Sequence, residues 1–215
     1  MKNNLLKEFG RVQFITQVTE KYYSVDSARI ALEGGCRWIQ LKMENSPLDE
    51  VELVANKVQQ LCKDYDSKFI INSYVHLAKN LKADGVYLGR RDMPIREARQ
   101  ILGEEFIIGA SANNFYHVQQ HYIGGADYIV CGPYRYTTTK QDSSPILGVE
   151  GCMRIVQQME NRGIHLPLVA VGGITCDDVS NVLNIGVDGI AVSNAVLQSD
   201  NPVEEMNKFI RMVNP

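Results

Sequence analysis

The stretch Ala126-Asp127-Tyr128-Ile129-Val130-Cys131-Gly132-Pro133-Tyr134-Arg135-Tyr136-Thr137-Thr138-Thr139-Lys140 contains the unit that the chain reuses from end to end. Tyr128-Ile129-Val130-Cys131 is an apolar run that reads as a strand, and the Ala-Asp before it closes a helical stretch. The same turn recurs as Ala83-Asp84-Gly85 and Val187-Asp188-Gly189, each leading into a short, mostly apolar run. Past the strand, three threonines and a lysine form a loop of hydroxyl donors beside one cation. A phosphate ester asks for such an arrangement around its anionic oxygens. The same letters are also β-prone sequence in a polar loop, and the motif alone leaves both readings open.

Outward from this unit, strand-like runs fall at residues 12–16, 38–42, 69–72, 85–88, 106–110, 128–131, 168–171 and 189–192. Several are almost entirely apolar, as parallel strands covered on both faces are. The segments between them read as helices. Ser46-Pro47-Leu48-Asp49 offers a serine cap and a proline at the first helical position, and Leu48, Val51, Leu53, Val54, Val58 and Leu61 supply an apolar face. Thr175 can cap a helix starting at Cys176. Asn201-Pro202 opens a last helix whose stripe is Val203, Met206, Phe209, Ile210 and Val213. Alternating strands and helices of this number predict an α/β fold of the (β/α)8 TIM-barrel type. The competing doubly wound sheet usually carries a glycine-rich turn after its first strand, and Thr16-Gln17-Val18-Thr19 has none.

Composition narrows the class. At 215 residues and 45% hydrophobic content the chain suffices for one sizeable core, and no linker or composition break divides it, so a single domain over residues 1–215 is expected. The net charge of −3 and the absence of a Lys/Arg block argue against nucleic acid as a partner. Cys36, Cys62, Cys131, Cys152 and Cys176 are scattered, which fits neither a disulfide framework nor a zinc site and suits a reducing compartment. No segment approaches a bilayer span, and the charged N-terminus lacks a signal-peptide apolar run. A soluble cytoplasmic protein without a membrane partner is the expectation, and the sequence is compatible with a homo-oligomer.

In a barrel of this type the functional groups stand at the C-terminal strand ends. After the second strand, Gln40, Lys42 and Glu44 alternate and should share one face. Lys42 and Glu44 could instead form a buried, self-satisfied pair. Asn72-Ser73 ends the third strand, where either residue could also cap a helix. Asp92, after the fourth, could cap the next helix or ligate Mg2+. Ser111 follows the fifth, with Asn113 and Asn114 able to act as a cap. Gly172-Gly173 and Ser193-Asn194 follow the seventh and eighth, where barrels often bind phosphate through backbone N–H groups. A tight turn would account for one of the two glycines and leave the other unexplained. His76, His117, His121 and His165 have no partner at metal or triad spacing and read as surface or packing residues.

Taken together, Gln40-x-Lys42-x-Glu44, Asn72, Gly89-x-x-Asp92, Ser111, Gly132-Pro133 with Thr137-x-Thr139-Lys140, and Gly172-Gly173-Ile174 resemble the thiamine phosphate synthase family along essentially the whole chain. The resemblance implies a TIM barrel that joins a pyrimidine methyl diphosphate to a thiazole phosphate, with Mg2+ as cofactor and pyrophosphate released. It implies that Gln40, Lys42, Asn72, Ser111 and Lys140 surround the pyrimidine diphosphate, with Glu44 beside them, and that Lys42, Lys140 and Ser111 stand closest to the chemistry. Thr137, Thr138, Thr139, Gly173, Ser193 and Asn194 would hold the thiazole phosphate, and Asp92 would ligate Mg2+.

The chain departs from the family pattern at definite positions. The family usually has arginine at Lys42, lysine at Glu44, histidine at Tyr87, and at Ser73 an aspartate that is a second metal ligand. Two readings follow: an active site rearranged so that Glu44 replaces the missing carboxylate and Arg90 or Arg91 the missing cation, or a barrel that keeps a phosphate pocket without the synthase activity. A related barrel, the thiazole tautomerase, is the nearest other enzyme. It has a histidine where this chain has Asn113 and lacks the Thr-x-Thr-Lys loop.

Overall fold

The structure, a computed structural model, describes residues 5–137 and 145–214. Its strands are β1 (Val12–Ile15), β2 (Trp38–Leu41), β3 (Lys68–Asn72), β4 (Gly85–Leu88), β5 (Ile107–Ala112), β6 (Tyr128–Cys131), β7 (Leu168–Val171) and β8 (Gly189–Val192). They pair in parallel, each with its neighbours in sequence, and β8 returns to β1 to close the barrel. Helices α1 (Leu5–Phe9), α2 (Ser24–Glu33), α3 (Leu48–Asp64), α4 (Val75–Leu81), α5 (Ile95–Leu102), α6 (Phe115–Gly124), α7 (Gly148–Asn161), α8 (Val179–Asn184), α9 (Asn194–Leu197) and α10 (Pro202–Val213) occupy the intervals. The predicted TIM barrel is the observed fold. No helix among the described residues is long and apolar enough to cross a membrane.

The repeated Ala/Val-Asp turn has a structural cause. Asp84 accepts a hydrogen bond from Phe69 N (2.9 Å), Asp127 from Ile108 N (2.8 Å) and Asp188 from Leu168 N (2.8 Å). In each case the aspartate preceding an even strand fastens the start of the odd strand before it. These carboxylates lie at the N-terminal face, where side chains serve stability rather than catalysis.

The interior is filled from below. Phe9 of α1 packs edge-on against Trp38 (centroids 5.4 Å apart), and Trp38 against Tyr128 (4.9 Å). All three are essentially inaccessible, and burying a side chain such as Phe9 is worth about 2–3 kcal/mol. Gly109 on β5 makes room for Tyr128, because a Cβ there would strike the tyrosine ring. With the lower barrel closed, open space remains at the C-terminal mouth.

Local expectations met mixed outcomes. Asn201 caps α10 by accepting from Glu204 N (3.3 Å), and Pro202 takes the first turn. Ser46 is not a cap: Pro47, extended at ψ 145°, stands outside α3 without a side-chain cap bond. Leu48 and Leu53 are exposed, and α3 instead buries Val51, Ala55, Val58, Gln59, Leu61 and Cys62. Ser111 lies inside β5, which runs two residues further than expected.

Candidate active site

One cleft opens at the C-terminal mouth, and Gln40, Lys42, Glu44, Asn72, Thr137, Gly173, Ser193 and Asn194 all line it. β1 and β2 set the first group. Thr16, fully buried just past β1, donates its N–H to Gln40 O (2.9 Å), and its Oγ1 accepts from Lys42 N (3.0 Å). This fixes the end of β2 so that Gln40, Lys42 and Glu44 project on one side. Lys42 Nζ lies 3.3 Å from Glu44 Oε1; the lysine is largely covered and the glutamate exposed, so the pair sits at the rim rather than in the core. Gln40 is 1% exposed, and its Oε1 has no hydrogen-bond partner among the described residues. A buried acceptor left unsatisfied costs about 1–3 kcal/mol unless something outside the protein completes it.

Asn72 ends β3 and faces the cleft, while Ser73 adopts φ +69° and donates its N–H to Tyr87 O (2.9 Å). Neither caps α4, which begins after Tyr74 without a side-chain cap bond. Tyr74 Oη donates to Met43 O (3.0 Å) and steadies the segment carrying Lys42 and Glu44. Asp92 does not cap α5 either. Its Oδ2 accepts from Gly89 N (2.6 Å), folding the carboxylate across its own loop.

Sequence reasoning treated Tyr87 only as a departure from a pattern, yet Tyr87 lines the cleft. Burial pushes its phenol up to about 12, a hydrogen bond with Ser111 pulls the other way, and the Asp92 and Glu44 carboxylates add to the rise. Glu44 lines the cleft, whereas Asp92 does not. Mg2+ commonly takes one or two carboxylates and completes its shell with water and substrate phosphates. Asp92 and Glu44 are the two carboxylates near Tyr87 that could serve so, and no group of three or more His, Cys, Asp or Glu able to hold a metal by itself occurs among the described residues. Behind Ser111, His121 Nε2 lies 3.0 Å from Ser111 O. Burial lowers His121, and burial together with Arg90 lowers His117. Both are packing residues, with Asn114 capping their helix through His117 N (2.9 Å).

The opposite wall is built mainly from backbone. Gly172 (φ +108°) and Gly173 (φ +64°) both need the left-handed region, so the turn uses both glycines and not one. Each also permits close approach: a Cβ on Gly172 would lie 2.7 Å from Pro133 Cβ, and one on Gly173 2.9 Å from Tyr136 O. Tyr134 N donates to Val171 O (2.8 Å) and Arg135 N to Gly172 O (3.0 Å), which lays the segment after β6 along the end of β7. Thr137 thereby reaches the cleft; Thr138, Thr139 and Lys140 lie outside the described residues. At the end of β8, Ser193 Oγ is buried without a partner among the described residues. Thr175 and Asp178 open a short 3-10 helix (Cys176–Asp178) ahead of α8. Chemically, one wall brings the Lys42 and Glu44 charges and the Gln40 and Asn72 amides to the cleft, and the other brings Gly172-Gly173 with the Thr137 and Ser193 hydroxyl residues.

Comparison with known proteins agrees with that chemistry. A family model described as thiamine monophosphate synthase matches residues 12–196. The chain is 54% identical over 201 residues to a thiamine-phosphate synthase of Phocaeicola vulgatus, covering 94% of this chain and 97% of that protein. It is 50% identical to one of Bacteroides thetaiotaomicron, covering 94% and 96%. Among solved structures, the thiamine phosphate pyrophosphorylase from Pyrococcus furiosus superimposes with a TM-score of 0.86 at 33% identity, covering 97% of this chain and 98% of the other.

Proposed function

The chain belongs to the thiamine monophosphate synthase family, and from that membership we propose that it performs the family's reaction in the cleft at the barrel mouth. The reaction joins 4-amino-2-methyl-5-hydroxymethylpyrimidine diphosphate to 4-methyl-5-(2-hydroxyethyl)thiazole phosphate, giving thiamine phosphate and pyrophosphate. The observation that carries the proposal is the meeting of Gln40, Lys42 and Asn72 with Thr137, Gly173 and Ser193-Asn194 in one cleft.

The chemistry asks little proton transfer of the protein. The bond between the pyrimidine methylene carbon and the diphosphate oxygen breaks, and its electron pair leaves with pyrophosphate. The electron-rich aminopyrimidine spreads the positive charge left on carbon, and the thiazole nitrogen donates its lone pair to that carbon. Two tasks remain: to hold two phosphorylated rings together, and to offset the charge of the departing group. Lys42 is suited to the second task, with Lys140 from the loop after β6. Gln40 Oε1, an acceptor without a donor among the described residues, suits the amino group of the pyrimidine. Ser111, tied to Tyr87, and Asn72 complete that side. Thr137 with Thr138 and Thr139, the Gly173 backbone and Ser193-Asn194 would take the thiazole phosphate.

Asp92 and Glu44 would hold Mg2+; Ser73 brings no carboxylate to the site. When bound, the ion supplies positive charge against the diphosphate. This is the rearranged-site reading, in which Glu44 stands in for the carboxylate absent at Ser73. A reducing cytoplasmic setting belongs to the same proposal, supported by cysteines that are free thiols. The tautomerase-like and binding-only alternatives are not favoured, since the relatives named above are synthases.

A pyrophosphate-release assay with both substrates, with and without Mg2+, tests the proposal. Release that needs both substrates and Mg2+ is the expected result; no turnover at any Mg2+ concentration overturns it. In the same assay, S73D/E44K should give no more than a modest gain over wild type if the rearranged site is active.

A further inference from the structure

Arg135 is a charged side chain at the mouth to which the reaction gives no task. It stands two residues before Thr137, and its Nη2 donates to Asp178 Oδ1 at 2.6 Å. Asp178 is 7% exposed, and its other oxygen is already engaged: Oδ2 accepts from Thr175 N (2.9 Å) and Thr175 Oγ1 (2.8 Å). The carboxylate is thus fixed from one side before the guanidinium reaches it from the other. Between the two lies the glycine turn. Arg135 N donates to Gly172 O, and a Cβ on Gly173 would meet Arg135 Cγ at 3.1 Å. The arginine therefore packs close against Gly173 and ties the segment after β6 to the helix start after β7.

We propose that Arg135 is a positioning residue for the phosphate-bearing thiazole substrate, acting through Asp178 to hold Tyr136-Thr137 against Gly173. This rests on the reading that Thr137 and Gly173 take that phosphate. Both groups reach the cleft from segments that the clamp joins, so loosening it changes their separation without touching Lys42, Asn72 or Gln40 on the far wall. A direct ligand role predicts something different. An arginine spent on Asp178 would be released by neutralising the aspartate, and an anion would then bind no worse.

The test is a double-mutant cycle with R135M, D178N and the pair, reading kcat and the KM of each substrate. Asparagine at 178 keeps an acceptor for Thr175, and thermal midpoints verify folding. R135M should raise the KM for thiazole phosphate about three- to fivefold, the most that a half-exposed ion pair can pass on to the site. The KM for the pyrimidine diphosphate and kcat should stay within about twofold, D178N should raise the thiazole phosphate KM in the same direction, and the double variant should match R135M because the two act as one unit. An unchanged thiazole phosphate KM in R135M overturns the proposal, as do equal rises for both substrates. So does a D178N that binds thiazole phosphate as well as wild type while R135M does not, the signature of a direct ligand. If wild type releases no pyrophosphate, the proposed reaction fails on its own, and calorimetric binding of thiazole phosphate to the same four proteins decides the clamp. Wild-type binding weakened about three- to fivefold in R135M supports it, and equal binding, or none by wild type, overturns it.

Discussion

The two walls of the cleft are made in different ways. From β6 to β8 the wall is backbone: paired glycines at positive φ, a segment laid along β7 by main-chain hydrogen bonds, and a clamp behind them. From β2 to β5 it is side chain: Lys42 against Glu44, the Gln40 and Asn72 amides, and Tyr87 backed by Ser111. A backbone wall is set by the fold and changes only when a glycine does. A side-chain wall can exchange charge by substitution without moving the barrel. The departures at Lys42, Glu44 and Tyr87 fall on the second wall, while Gly172-Gly173 on the first keeps the family's letters.

The largest effect should come from the charged wall. In the proposed reaction Lys42→Met removes the cation that offsets the departing group, and losing one such electrostatic contact typically costs about 10²–10³ in rate. The expected result is a fall of that size in kcat/KM, with the thiazole phosphate KM nearly unchanged, measured by steady-state kinetics on each substrate. A comparable rise in the thiazole phosphate KM would mean that the walls do not divide the two substrates. The next effect lies opposite. Gly173→Ala places a side chain at φ +64° with its Cβ 2.9 Å from Tyr136 O. Forcing that conformation costs about 1–3 kcal/mol, so the thiazole phosphate KM should rise roughly ten- to a hundredfold. The pyrimidine diphosphate KM should not follow it.

The same division explains what the sequence could disclose. The bounds of β4, β6, β7 and β8 were legible to the residue, because a turn with aspartate or proline precedes an apolar run that ends at a glycine or a polar residue. Helix α1 was not, since five residues carry no usable period and its reason is tertiary: Phe9 closes the barrel on Trp38. Ser46 failed as a cap although the pattern was right, because Pro47 turns the chain before α3 begins. On the site, alternation correctly put Gln40, Lys42 and Glu44 on one face. Tyr87, Arg135 and Asp178 gave no such signal. Tyr87 matters through Ser111, and Arg135 through an aspartate 43 positions away, and neither contact follows a local period.

Gln40 sharpens the comparison by separating stability from binding. Its Oε1 is buried and unpartnered among the described residues, so the free protein gains nothing from that oxygen. Gln40→Leu should leave the thermal midpoint unchanged or raised, while the KM for the pyrimidine diphosphate rises about tenfold as a hydrogen bond to the ligand is lost. A large fall in the midpoint would show that the amide supports the barrel rather than the ligand.

The smallest expected effect concerns pH, and it divides the walls again. Behind the side-chain wall, burial holds His121 and His117 below the usual 6.5. A histidine kept neutral by the fold adds stability that is complete above its unfolded pKa and lost as pH falls from about 6.5 through the lower folded value. On the backbone wall, burial alone would raise Asp178, but hydrogen bonds from Thr175 and the Arg135 charge outweigh it and hold the carboxyl below 3.8. Its contribution is present above 3.8 and lost only as pH falls through the still lower folded value. The thermal midpoint should therefore begin to fall in the pH 6 range, and His121→Gln should flatten that first decline. Asp178→Asn should lower the midpoint by a constant amount from pH 8 to pH 5, worth less than about 1 kcal/mol because Arg135 is half exposed. The gap should close only below pH 4. If His121→Gln leaves the first decline intact while Asp178→Asn abolishes it, the acid-sensitive element lies on the backbone wall, and the two walls do not titrate apart.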